Sequence, residues 1–135
     1  MVTIDSNGYS TPLNEKELTE LYKHIATKEG FLLDQVTIVL GDDDWLLDFN
    51  IRFLNHDYYT DIITFDYVES NVISGDLLVS VDRVEDNADR INVSRETEMN
   101  RVLIHGFLHL CGYNDKTPAE VELMRKKEDY YLKLL

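Results

Sequence analysis

The chain has 135 residues, 44% of them hydrophobic and 10% aromatic, enough apolar material for a core without disulfide or metal staples. Its formal net charge of −13, from 26 acidic and 13 basic side chains, argues against indiscriminate attraction to nucleic acid. No apolar run approaches the ~20 residues that span a bilayer, and the N-terminus lacks the basic start and apolar stretch of a secretory signal.

Val2–Ile4 is expected to form a short opening strand. Beyond Pro12, the spacing of Leu18, Leu21, Tyr22 and Ile25 predicts a helix over Asn14–Lys28, stopped by Gly30. Gln35–Leu40, rich in β-branched residues, reads as a strand. The run Asp42-Asp43-Asp44 has the charge of a cation site. It precedes the apolar-periodic segment Trp45–Leu54, however, where acidic residues cap a helix and favour its positive end, and capping is the expected role. Thr60–Tyr67 and Val72–Val81 read as strands joined by a short polar turn containing Asn71, hence a hairpin. A short helix is expected around Val84–Arg90. A long one follows from Ser94 to Gly112, with Glu96 and Glu98 in its first turn. The last starts at Thr117-Pro118, with Val121, Met124 and Tyr131 on its apolar face. This order favours an α+β fold, a single compact domain over residues 1–135. Its small mixed sheet of about four strands is covered by about five helices, with a metal site at the end of the long helix.

That site is read from His105-Gly-Phe-Leu-His109-Leu-Cys-Gly112-Tyr-Asn-Asp115. Histidines four apart project from one helix face a turn apart, within reach of one cation. Gly112 is the residue that most easily stops a helix, and past it Asp115 can return as a third ligand. The pattern H-x-x-x-H-x-x-G-x-x-D keeps the spacing of the extended zinc-protease motif with Asp in place of its last His. The glutamate that serves those proteases as general base is here Gly106, which can neither take nor pass a proton.

The charge is unevenly spread. Residues 1–50 hold 10 acidic and 3 basic side chains and residues 51–93 hold 9 and 3, whereas residues 94–135 hold 7 of each. Arg95, Arg101, Lys116, Arg125, Lys126 and Lys127 are therefore concentrated near the motif, as solvated helix faces or as a local anion-binding surface. Cys111 sits about 200° around the helix from His109 and is expected to be a small core residue. With no second cysteine to pair with, it suits a reducing cytoplasm. His24 and His56 have no ligand spacing and read as ordinary side chains. Asp76 could orient a ligand histidine, or could be a turn or edge residue. Tyr58, Tyr59 and Tyr113 could stack on unpaired bases, or be half-exposed structural tyrosines.

The histidine block resembles the signature H-G-x-L-H-L-x-G-Y-D-H of the YbeY family of bacterial rRNA maturation factors, described as metal-dependent endoribonucleases. Leu54-Asn55, Thr60-Asp61-Ile62-Ile63-Thr64-Phe65, Ser74-Gly75-Asp76-Leu77 and the stretch Met124–Glu128 resemble further family segments in the same order, so the likeness runs from about Val36 to Leu135. The resemblance implies one zinc ion held by three histidines. His105 and His109 match two of them, and the third falls on Asp115, a harder ligand that zinc accepts. The family's phosphate-binding arginine, in the loop before Thr-Asp, has no counterpart in His56-Asp57-Tyr58-Tyr59. Arg101, on the histidine stripe, could take that role or pair with Glu96 or Glu98.

What the resemblance implies is a cytoplasmic, zinc-dependent endoribonuclease specific for single strands. Its partners would be rRNA and ribosomal particles, and its role small-subunit rRNA maturation. A metal-stabilised assembly factor without nuclease activity is the alternative. A peptidase, opposed by Gly106, and a non-haem iron enzyme, suggested by two histidines and a carboxylate, stand further off.

Overall fold

The structure, a computed structural model, describes residues 1–135. In chain order its elements are β1 (Val2–Asp5), α1 (Glu15–Glu29), β2 (Leu32–Gly41), α2 (Asp43–Leu54), β3 (Ile62–Asp66), β4 (Val72–Ser80), α3 (Val81–Ile91), α4 (Arg95–Leu110) and α5 (Pro118–Leu132). The strands form one sheet in the order β1-β2-β4-β3, parallel except for the antiparallel β3–β4 hairpin. It is the expected four-strand, five-helix α+β fold.

Each helix begins on a side chain that satisfies its first amides. Asn14 and Thr117 complete capping boxes with Glu17 and Glu120, and Ser94 accepts from the amide of Thr97. Asp42 accepts from the amide of Trp45, while Asp43 pairs with Arg83 at 3.1 Å. The acidic run thus caps α2 and ties it to α3.

Several boundaries differ from the sequence reading, β3 for example being Ile62–Asp66 rather than Thr60–Tyr67, and two of the differences have a local cause. Strand β2 starts at Leu32 rather than Gln35, because the register with β4 shifts between Leu33 and Gln35. The extra residue, Asp34, breaks the alternation that a strand reading relies on. Strand β4 passes directly into α3, with Ser80 capping the helix, so Val81 is helical rather than the end of a strand.

Helix α4 is buried on almost every side, carrying Met99, Val102, Leu103, Ile104, Phe107, Leu108 and Leu110 into the main core. Tyr22 of α1 stacks on Phe107 with ring centroids 4.1 Å apart and donates its hydroxyl to the Leu103 carbonyl at 2.7 Å. A smaller cluster of Leu46, Ile63 and Leu78 lies beneath α2 on the other face of the sheet. The histidine-bearing helix is therefore anchored in the main core over most of its length.

Candidate metal centre

The end of α4 builds the site. Gly112 adopts φ 96°, its amide donates to the His109 carbonyl, and the amide of Tyr113 donates to that of Leu108. These paired bonds stop the helix and reverse the chain. Asp115 returns over the last turn, its Oδ2 3.2 Å from the Nε2 atoms of both His105 and His109, which are themselves 3.0 Å apart. The three expected ligands come together.

Their other contacts say what belongs between them. His109 Nδ1 lies 2.8 Å from the carbonyl oxygen of Tyr113, which can only accept, so a neutral His109 carries its proton on Nδ1. His105 Nδ1 donates to Glu128 Oε2 at 2.6 Å. Two Nε2 lone pairs and a carboxylate oxygen then face one another, an arrangement that a shared cation stabilises. A tetrahedral ion with bonds of ~2.0–2.2 Å has ligand–ligand edges of roughly 3.3–3.6 Å. The observed edges of 3.0 and 3.2 Å need open by only a few tenths of an ångström. The group could hold a metal ion, and its donors suit zinc or another first-row divalent cation.

Glu128 is the site residue that periodicity alone concealed. Burial lowers the His105 pKa, but the Glu128 hydrogen bond and charge act against it and leave His105 raised. Burial pushes Glu128 up, and its bonds to His105 and Arg101 outweigh that and hold it below the usual carboxylate range. A signal was present: Glu128 shares the apolar stripe of Val121, Met124 and Tyr131, where an unpaired charge is out of place.

Asp76, considered as a partner for a ligand histidine, is elsewhere. Gly75 and Leu77 face α4, where a Cβ on Gly75 would meet Leu110 and one on Gly106 would meet Leu77. By strand alternation Asp76 points to the opposite face, where the Tyr67 hydroxyl donates to it at 3.1 Å. Arg101 pairs with neither Glu96 nor Glu98 but with Glu128 and Asp129 of α5, at 2.9 and 2.8 Å. It steadies the carboxylate that orients His105. Gly106 faces the sheet, where a Cβ would lie 2.6 Å from Ile62 and 3.1 Å from Leu77, so a side chain at this position would start toward the sheet.

Beside the three ligands opens a cleft of about 360 Å³, between the segment before β3 and helices α3, α4 and α5. Asp61 lines it, its carboxyl raised by burial and receiving the Asn87 amide at 3.2 Å. Arg125 stands at the rim, 3.8 Å from Glu128 and well exposed. Arg125 and Val121 also belong to a shallow groove that continues past Lys116 and Lys126. Of the tyrosines considered for stacking, none lines the cleft: Tyr58 packs on His56, Tyr59 donates to Asp44, and Tyr113 donates to Glu29.

A model of the family described as endoribonuclease YbeY matches residues 3–135. The chain belongs to the YbeY endoribonuclease family. Endoribonuclease YbeY of Flavobacterium johnsoniae is 50% identical over 116 residues, covering 86% of this chain and 84% of that protein. Its namesake in Phocaeicola vulgatus is 43% identical over 136 residues, covering 100% and 99%. The solution structure of a Thermotoga maritima protein matches at a TM-score of 0.71 and 31% identity, over 98% of this chain and 87% of that one. Within the YbeY family pattern set out above, this chain keeps the two helix histidines. It departs at Asp115 and in the loop without arginine.

Proposed function

We propose that this YbeY-family chain is a zinc-dependent endoribonuclease that cuts single-stranded RNA during small-subunit rRNA maturation, acting in the cytoplasm on ribosomal particles. Family membership supports RNA cleavage. The observation that carries the metal requirement is the convergence of His105, His109 and Asp115, whose facing acceptors call for a cation. Those three residues would hold one zinc ion, which when bound polarises a phosphate and lowers the pKa of water.

The chain's own groups do the rest. Glu128 and the Tyr113 carbonyl keep both imidazoles in the tautomer that turns Nε2 to the site. Lys116, Arg125 and Lys126 draw the phosphate backbone along the groove, and Arg125 at the rim takes over the charge role of the absent loop arginine. Asp61, a carboxyl raised by burial within the cleft, holds or releases a proton beside the scissile bond.

The test is cleavage of a single-stranded rRNA fragment by purified protein. Chelation and His109→Ala should each abolish cutting, and added zinc should restore only the wild type. Equal cleavage by wild type and His109→Ala would sink the nuclease reading. If ribosome maturation in cells still required His109, the metal-stabilised assembly factor would stand instead.

A further inference from the structure

Asp61 enters the cleft at the end of a segment without regular structure, residues 56–61. Reactive groups on such segments are placed less precisely than groups on helices or strands, unless something holds them. Here the holds come from α3 and its cap. The amide of Ser80 donates to the Asp61 carbonyl at 2.9 Å. Within the helix, the Arg83 guanidinium lies over the Tyr59 ring, 5.3 Å from its centroid, and is fixed there by Asp43 at 3.1 Å. One turn further, Asn87 Nδ2 donates to Asp61 Oδ2 at 3.2 Å. Arg83 and Asn87 are four residues apart and share a helix face, so one side of α3 grips the whole segment.

The orientation of the Asn87 amide is decided by its other neighbour. Arg90 binds Asn87 Oδ1, and a guanidinium has donors only. The amide oxygen must therefore face Arg90, which leaves the NH₂ group for Asp61. Arg90 is held in turn by Asp86 at 3.2 Å. Asn87 is the one side chain that hydrogen-bonds the Asp61 carboxylate, and both residues line the cleft. The donor is also neutral, whereas Glu128 is held by the Arg101 guanidinium at 2.9 Å. A neutral donor directs a carboxylate without the opposite charge that would pin it ionised.

We propose that Asn87 is the positioning residue of this site: clamped by Arg90, it holds the Asp61 carboxylate in the cleft beside the metal ligands. The proposal rests on the proton-handling role given to Asp61 above and adds the residue through which α3 enforces it.

The contact is read first, without RNA, from the side-chain amide signals in nitrogen–proton NMR spectra of the metal-free protein. The Asn87 signals should shift and exchange faster with solvent in Asp61→Ala, which removes the acceptor. Cleavage of single-stranded RNA by zinc-loaded protein comes second. Asn87→Ala should lower kcat about tenfold with KM and bound zinc unchanged, the loss expected of one hydrogen bond to a charged group. In an Asp61→Asn background the same change should cost nothing further, because the two residues act as a unit. Arg90→Met, at an exposed position, should give a smaller loss of the same kind and tests the clamp even if Asn87→Ala fails to fold. Asn87 signals indifferent to Asp61→Ala overturn the contact. Equal losses from Asn87→Ala in both backgrounds make Asn87 a merely structural residue and overturn the positioning role. An unchanged kcat in Asn87→Ala, with Asp61→Asn impaired, also overturns that role and leaves the nuclease reading intact. The contact seen in a wild type that cuts no RNA supports the hold on Asp61 and overturns the nuclease.

Discussion

Glu128 lies behind His105, and its 2.6 Å bond to Nδ1 fixes which nitrogen faces Asp115. Glu128→Gln should therefore weaken metal binding about 10- to 100-fold while the fold persists, as read by competition with a chromogenic chelator. Asp115→His should keep the metal, because an imidazole can replace the carboxylate at the same vertex. Asp61→Asn removes a titrating group without changing shape. If Asp61 carries the proton, kcat should fall roughly 10²- to 10⁴-fold with metal content unchanged, measured by single-turnover cleavage.

At the scale of elements, α4 can lie close to the sheet because glycines stand at the crossing. A Cβ on Gly75 would come within 2.6 Å of the Phe65 carbonyl oxygen, a backbone atom of the paired strand that cannot step aside. Gly75→Ala should destabilise the protein by about 1–3 kcal/mol in urea unfolding. A Cβ on Gly106 meets the Ile62 Cδ1 at 2.6 Å, the movable end of a side chain, and alanine favours the helix by about 1 kcal/mol over glycine. Gly106→Ala should therefore cost less than Gly75→Ala; the reverse order would show that the helix, not the hairpin, is the tighter partner.

Across the whole molecule, Glu29 at the end of α1 binds three distant groups: the hydroxyls of Tyr113 and Tyr131 and the ammonium of Lys127. It thereby secures the loop whose carbonyl holds His109. Burial pushes the Glu29 carboxyl up, but these three bonds outweigh it and leave the group below its ordinary value. A depressed folded pKa stabilises above the unfolded value of ~4.3 and is lost as pH falls through the folded one. Glu29→Gln should accordingly lower the melting temperature at pH 7 by several degrees and by much less in strong acid, in paired thermal melts. The charge pattern has its own consequence. If Lys116, Arg125 and Lys126 contact phosphates, the slope of log affinity for single-stranded RNA against log salt should be about −2. A flat salt response would remove the groove from the binding surface.

The element order, the capping role of the acidic run at Asp42, the helix starts at Ser94 and Thr117, and the convergence of His105, His109 and Asp115 were legible in the chain itself. Each depends on spacing within a few residues, where helical periodicity and capping chemistry act. Even Asp115 falls in this class, because a glycine-stopped helix returns the chain to its own last turn. What lay beyond reach depended on which helix packs on which. Glu128 meets His105 across 23 residues, and Asp61, Asn87 and Glu98 share one cleft only because α3, α4 and α5 converge beside the start of β3. Asp76 shows the same limit in reverse, since strand alternation says that it faces away from Gly75 but not which face carries α4. Local chemistry determined which three side chains converge at the end of α4, and tertiary packing decided the carboxylate behind His105 and the cleft beside it. Contacts between distant segments leave no periodic trace in either segment alone.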